Sequence, residues 1–265
     1  FAMTHGGYFL FEWTMITLSL SALALYLYAS RRQRGWCRWR TASSGGGVLL
    51  LVVDLLPPVA AFSHHDLRGH MVQHLALGMF GPLLLVLAAP VTLLLRSLPT
   101  TAARRIVAFL RSPLVTAASH PVLALLLNVG GMYLLYLTPL YAVSLEQGLV
   151  HGWVHLHFII AGCLFTWAIA GPDPGPRLSP RYRLVILFCS MATHGLLAKL
   201  MFAYGWPRGT AHSTAEIEAA ARLMYYGGDI AELLLAIVLF HSWGRAPGRP
   251  RPEGRVVELA DVRSP

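Results

Sequence analysis

Histidines are unusually frequent in this sequence and gather in a few short segments. The chain has 265 residues and 12 histidines, as many as its aspartates and glutamates together. His70 and His74 lie four residues apart in HMVQH, so a helix places them on one face, and His151 and His155 repeat that spacing. Neutral imidazole is a ligand for copper, zinc and iron. The spacing therefore predicts a metal site assembled from several helices.

Three further polar residues lie at matching depths in other apolar segments. His157, His194 and Asp229 are each on the order of 10 to 15 Å from one end of their segments, at about 1.5 Å per residue. His155 and His157 lie about 200° apart around a helix, so one site cannot easily take both, and we expect the deeper His157 to face inward. Asp229 is compatible with a ligand, a partner of a ligand or a counter-ion for Lys199.

Methionine thioethers would favour Cu(I) at such a site. Met71 follows His70, and Met201 shares a helical face with His194, seven residues before it. Methionine also packs well in any apolar bundle, so these residues support a copper site only together with the histidines. A single membrane histidine is more often a hydrogen-bond partner of another helix than a ligand, but four on one side of the membrane favour metal.

Membrane-spanning helices are the elements that must position these residues. The chain is 55% hydrophobic and 12% charged, whereas soluble domains have about 25% charged residues, which excludes a soluble enzyme and a disordered chain. A hydrocarbon core of roughly 30 Å needs about 20 apolar residues per helix. We predict an all-α polytopic bundle with seven transmembrane helices, at residues 7–30, 45–63, 70–95, 120–138, 150–170, 184–204 and 222–242.

The second span is the weakest of the seven, because it contains Asp54 and the Pro57–Pro58 pair. The alternative is six spans and a re-entrant segment. In either case residues 3–242 are predicted to form one transmembrane domain. The basic tail at 243–265 is predicted to be disordered and cytoplasmic.

The arginines indicate the orientation of the spans. Most of them fall in alternate loops and in the tail, which predicts the N-terminus outside and the C-terminus in the cytoplasm. The net charge of +9 therefore indicates contact with lipid head groups rather than binding of nucleic acid. The same interpretation applies to the run RRQRGWCRWR at 31–40. Residues 101–111 have the pattern of a short amphipathic helix on the inner membrane surface.

Two long motifs resemble those of the CtaG-type cytochrome c oxidase assembly factors of bacterial inner membranes. They are FSHHDLRGHMVQHLALGMFGPLLLVLAAP and HGWVHLHFIIAGCLFTWAIAGPDPGPR, and MATHGLLAKLM resembles a later segment of that family. The resemblance covers roughly residues 60–240. The last span departs from the family, since it has YYGGDIAELLL where an Asp-Gln pair is expected before the glycines, and Asp229 takes the place of the family's acid.

The resemblance implies a multi-pass inner-membrane protein, not an enzyme, that helps insert copper into haem-copper oxidase. Its partners would be the lipid bilayer, an extracytoplasmic copper donor and the oxidase core subunit. The site residues that the resemblance carries over are His70, His74, His157, His194 and Asp229.

Three other functions stay open at this stage. Paired histidines could ligate haem if Gly78, Gly81, Gly130 and Gly131 opened a wide pocket. Three histidines and an acid could activate water on zinc, with Glu232 or Ser63 as a further catalytic group. A copper transporter is disfavoured, because the inner half of the chain has few ligands. The sequence favours copper, as Cu(I), over zinc and haem.

Overall fold

The computed structural model describes residues 2–175 and 178–244, with the backbone alone for 2–9. Nearly all of the predicted tail at 243–265 therefore lies outside the described residues. Every regular element in the described ranges is helical, with no strand. The α-helices are α1 (Ala2–Arg32), α2 (Arg38–Asp54), α3 (Pro57–His65), α4 (Leu67–Leu75), α5 (Gly81–Leu87), α6 (Pro90–Ser97), α7 (Thr100–Leu110), α8 (Pro113–Ala118), α9 (Pro121–Tyr136), α10 (Leu140–Glu146), α11 (Gly148–Ala170), α12 (Pro180–Tyr204) and α13 (Thr214–Gly244), and a π-helical turn (Ala76–Phe80) joins α4 to α5.

Five helical segments are long and apolar enough to cross a membrane: Leu10–Arg32, Leu67–Ser97, Gly148–Ala170, Pro180–Tyr204 and Thr214–Gly244. Two bent pairs would raise the number to seven. The first pair, α2 and α3, is bent by 61°, and the second, α9 and α10, by 77°. An all-helical chain with several apolar spans is therefore confirmed, whereas the count of seven and the orientation of the termini stay predictions.

The bend between α2 and α3 coincides with the predicted weak point of the second span. α2 ends at Asp54, and α3 begins at Pro57. Proline lacks a backbone N–H and is tolerated in the first turn of a helix, so the Pro57–Pro58 pair starts a new helix instead of continuing the old one. The bend places α3 and its histidines across the end of the bundle, against α4.

The segment Leu67–Ser97 is interrupted twice along its length. The π-helical turn displaces the backbone after His74, and π-helical turns of this kind are frequent at functional sites. Further along, Ala89 adopts a left-handed conformation with φ 53°, immediately before Pro90. Asp173, the acid of GPDPGPR, then accepts hydrogen bonds from Val91 N at 3.2 Å and Thr92 N at 2.7 Å, so a distant loop caps α6.

The basic segments meet at the end of the bundle opposite the histidines. The Gln33 side chain after α1 donates to the Arg96 carbonyl of α6 at 3.1 Å, and the Arg96 guanidinium lies 5.7 Å from the Trp36 ring. α7, which corresponds to the predicted amphipathic helix at 101–111, buries none of its residues. α11 lies at the centre of the bundle, against α9, α5 and the π-helical turn, while α4 and α12 both pack on α13.

Candidate functional site

Six imidazoles from four helices converge at one end of the bundle. We call this group the histidine cluster; it consists of His64 of α3, His70 and His74 of α4, His151 and His155 of α11, and His194 of α12. All of them except the half-buried His64 expose at most 4% of their surface. So many buried polar rings are unusual in an apolar bundle, because each must find a partner or incur a desolvation cost.

The α11 side of the histidine cluster is a row of closely packed rings. His64 stacks on His151 with ring centroids 4.4 Å apart, and His151 lies 4.1 Å from His155. The four-residue spacing of His151 and His155 therefore does place both on one face, as predicted, and that face carries the ring that stacks on His64 of α3.

His155, and not His157, belongs to the histidine cluster. The His157 ring points to α9, where its Nε2 hydrogen-bonds the Leu127 carbonyl at 2.9 Å. A Cβ on Gly131 would overlap that ring, so the glycine leaves the space that His157 occupies. The expectation that the deeper of the two histidines faces inward is corrected here, because helix rotation, and not depth, decides which ring lies beside His151. His157 is an interhelical hydrogen-bond partner.

Two buried tyrosines hold His70 in place. The Tyr136 hydroxyl lies 3.1 Å from His70 Nε2, and the His70 ring packs edge-on against Tyr141 at 4.8 Å between centroids. Tyr136 and Tyr141 are both completely buried, and Tyr141 extends the network to His212 Nε2 at 3.3 Å. His70 thus has one nitrogen engaged, and its Nδ1 is buried without a hydrogen-bond partner.

His74 and His194 differ from His70, because both nitrogens of each ring are buried without a hydrogen-bond partner. The centroids of the two rings are 6.4 Å apart. Rings on opposite sides of a first-row metal ion have centroids on the order of 6 Å apart when each ligating nitrogen is about 2 Å from the ion. We call His74 and His194 the imidazole pair. Its spacing suits one small cation between the two rings.

Within the described ranges, no group of three or more His, Cys, Asp or Glu side chains has the arrangement of a ready metal site. The imidazole pair therefore offers two ligands and not a complete coordination sphere. Such a pair suits Cu(I), which accepts few ligands and combines imidazole with thioether sulfur.

Met71 and Met201, the two predicted thioether ligands, are both fully buried. They belong to one apolar cluster with Met132 and Met224, so that α4, α9, α12 and α13 each contribute a methionine. The same cluster includes Phe158, whose ring lies 4.9 Å from His74. The methionines therefore belong to an apolar cluster that borders His74 through Phe158, which is compatible with packing and with supplementary ligation alike.

The glycine pair in YYGGD explains how α13 approaches its neighbours. A Cβ on Gly227 would overlap Leu75 of α4, and one on Gly228 would overlap the His194 ring of α12. The pair thus lets α13 pack against two helices that carry histidines. This role was not apparent from the sequence, where the glycines served only to align Asp229.

Two acids of α13 have different surroundings. Asp229 is half-buried, and of the roles left open for it the ion pair with Lys199 does not form among the described residues, where the Lys199 ammonium instead lies 5.5 Å from the Tyr225 ring. Glu232 is the buried acid, with 2% of its surface exposed, and it accepts a hydrogen bond from Ser190 Oγ at 2.6 Å. Sequence reasoning ranked Asp229 above Glu232 because the family motif aligned with it.

The alternatives receive little support from the geometry. The cavity beside Gly78 has a volume of about 20 Å³, and Gly131 is covered by His157, so these glycines do not open a haem pocket. The Ser63 hydroxyl donates to the Ala60 carbonyl of its own helix at 2.8 Å, and the Glu232 carboxyl accepts from Ser190, so both proposed catalytic groups for zinc hydrolysis are engaged in other hydrogen bonds.

Comparison with known proteins identifies one family. The family model described as cytochrome c oxidase caa3 assembly factor matches residues 24–246. A protein of Mycobacterium bovis named Uncharacterized protein Mb0105 is 31% identical over 253 residues, which is 88% of this chain and 38% of that protein. Uncharacterized protein ML1998 of Mycobacterium leprae is 35% identical over 189 residues, 68% of this chain and 29% of its own length. This chain thus spans well under half of the mycobacterial proteins it matches. No solved structure matches.

Proposed function

Because the chain belongs to the cytochrome c oxidase caa3 assembly factor family, we propose that it carries copper to the oxidase while that enzyme is assembled. Copper is the cargo in this proposal and not a resident cofactor. It arrives from a donor outside the membrane, binds within the histidine cluster and passes sideways to the oxidase core subunit. The protein performs no covalent chemistry on it.

The imidazole pair is the observation that supports this proposal most strongly. Four buried ring nitrogens without hydrogen-bond partners are costly unless something binds them. Imidazole is a neutral donor, and His74 packs on Phe158 of the apolar cluster that contains four buried methionines. Cu(I) matches this donor set, whereas magnesium and calcium require oxygen ligands.

The remaining rings of the histidine cluster supply a route to the imidazole pair. His64 is the half-buried member, and His151 and His155 follow it inward at centroid distances of 4.4 and 4.1 Å. In this proposal His70 and His74 of α4 receive the ion from that row, and His70 and His74 are themselves linked by Tyr136, which both rings contact. A copper ion can therefore move by exchanging one imidazole for the next, without entering hydrocarbon.

Release is favoured by the same incomplete coordination. With few strong ligands and no thiolate among them, the affinity stays moderate, so an acceptor with more ligands can remove the ion by ligand exchange. The three cysteines, Cys37, Cys163 and Cys189, are free thiols, and none of them joins a group of three or more potential metal ligands within the described ranges.

The test is an anaerobic Cu(I) titration of the purified full chain against a chromophoric Cu(I) chelator. We expect roughly one copper ion per chain, and an X-ray absorption spectrum with imidazole nitrogen ligands. Replacing both members of the imidazole pair, His74→Leu with His194→Leu, should abolish this binding while helix content is kept. Replacing His70 and His74 together should also weaken it severely.

His157→Leu is the matched control, because it removes a histidine of α11 that lies outside the histidine cluster. Copper binding that is unchanged in the His74/His194 double variant would overturn the proposal. So would purified protein that holds zinc and binds no copper. In cells, the double variant should lower the copper content of the oxidase, whereas His157→Leu should leave it unchanged.

A further inference from the structure

Glu232 is a carboxyl group buried in the interior of a membrane bundle. Only 2% of its surface is exposed, and Ser190 Oγ donates to its Oε1 at 2.6 Å. Its Oε2 is buried without a hydrogen-bond partner. Acids at membrane depth are expensive and are functional by default. The hydrogen bond from Ser190 alone does not explain why the Glu232 carboxyl is buried at this depth.

Helical register places Glu232 one turn below the imidazole pair. On α12, Ser190 is four residues before His194, and on α13, Glu232 is four residues after Gly228. Gly228 lies against the His194 ring, and Ser190 donates to the Glu232 carboxyl. The two contacts are therefore four residues apart on each helix. One turn of a helix is about 5.4 Å. The carboxyl therefore lies on the order of one turn from His194.

A small cavity lies between the carboxyl and the π-helical turn that follows His74. Its volume of about 20 Å³ has room for one water molecule. It is lined by Glu232, Asn128, Thr166 and Gly78, among apolar residues. Gly78 lies in the π-helical turn, where a Cβ would be 3.5 Å from His74 Cε1. The cavity thus extends from the carboxyl to Gly78, the residue that separates it from the His74 ring.

The surroundings of Glu232 favour its neutral form. An isolated carboxylate in an apolar interior takes up a proton rather than stay charged. Since Oε1 accepts from Ser190, the proton belongs on Oε2, the oxygen without a partner. The acidic and imidazole groups nearest to it in helical register are Asp229 on α13 and the imidazole pair on α4 and α12. α9 and α11 line the cavity with neutral side chains only.

From this arrangement we infer that Glu232 is the internal counter-charge of the imidazole pair, so that the pocket exchanges one proton for each monovalent cation that it takes up. The inference rests on the proposed copper function. Cu(I) enters between His74 and His194, the O–H bond at Glu232 Oε2 breaks, and the proton leaves to solution. No electron moves, and the charge inside the bundle stays constant.

The reason for the exchange is electrostatic. Neutral imidazoles bring no negative charge, and an uncompensated cation in a low-dielectric bundle is strongly disfavoured. A carboxylate one turn away offsets that cost. The same coupling favours the release of copper, because a proton that returns to Glu232 removes the counter-charge of the bound ion.

Infrared difference spectroscopy with proton counting tests the inference on the full chain. Before copper is added, the protein should show the carbonyl stretch of a protonated carboxylic acid, and Glu232→Gln should remove that band. On Cu(I) addition in weak buffer, the band should disappear and about one proton should be released per copper ion. In Glu232→Gln, proton release should fall to near zero. The copper affinity of this variant should be at least about tenfold lower than that of the wild type.

Glu218→Gln is the matched control, because it removes an acid of the same helix that pairs with Arg222 and does not line the cavity. It should keep both the band and the proton release. Copper binding without proton release, or a spectrum without the protonated-acid band, would overturn the inference while leaving the proposed function intact. If copper does not bind but the band is present, the proposed function fails instead.

Discussion

Gly228 of α13 leaves the space that the His194 ring of α12 fills, so that a glycine on one helix sets the position of a histidine on another. α12 and α13 are packed along their lengths, and Ser190 and Glu232 meet one turn further on. The position of His194 opposite His74 therefore depends on the absence of a side chain at residue 228.

Gly228→Ala should displace the His194 ring and destabilise the protein. A Cβ at this position overlaps the ring, and overpacking of this kind costs about 1–3 kcal/mol. Thermal unfolding should show a lower midpoint, and Cu(I) affinity should fall with it. Gly130→Ala is the control, since nothing lies within 4 Å of its Cβ position. Equal midpoints for the two variants would contradict the role of Gly228.

Tyr136→Phe should weaken the hold on His70 without removing any apolar packing. The hydroxyl lies 3.1 Å from His70 Nε2 inside the bundle, and loss of one such hydrogen bond costs about 0.5–1.5 kcal/mol. Thermal unfolding is the measurement. Tyr226→Phe, at a tyrosine with 65% exposure, should have no effect. A Tyr136→Phe protein as stable as the wild type would show that the contact contributes nothing.

His155→Ala and His157→Ala should separate the two histidines of α11. His155 lies in the histidine cluster beside His151, so its removal should lower Cu(I) affinity. His157 binds the Leu127 carbonyl of α9, so its removal should lower stability and leave affinity unchanged. Chelator competition and thermal unfolding on both variants give the comparison. If instead His157→Ala lowered the Cu(I) affinity and His155→Ala did not, His157 and not His155 would belong to the site.

Acid should loosen the start of α4 through Asp66. This residue caps the helix by accepting from Arg68 N at 2.8 Å, and its further bonds to the Arg68 guanidinium hold the pKa of the Asp66 carboxyl below its usual value. A depressed pKa in the folded state means that the stabilisation is present above the ordinary aspartate pKa and is lost as pH falls through the lowered one. Unfolding midpoints measured across that range should fall more steeply in the wild type than in Asp66→Asn. Parallel curves would exclude this contribution.

Much of the architecture follows from the sequence because membrane insertion constrains it locally. Long apolar stretches must be helical in hydrocarbon, where backbone groups have no water to bond. The weak second span could be located from Asp54 and the two prolines, and the 61° bend occurs there. The shared faces of His70 with His74 and of His151 with His155 follow from helical periodicity alone.

Periodicity relates residues within one helix, but it does not determine how that helix is rotated against its neighbours. Interhelical contacts made that choice here: Gly131 accommodates His157, Gly228 accommodates His194, and the π-helical turn shifts the backbone between His74 and α5. The sequence by itself therefore determined that imidazoles gather at one end of a helical membrane bundle. Only the tertiary structure decided that His74 faces His194, that His155 replaces His157, and that Glu232 is the buried acid, because close packing of side chains between helices sets those rotations.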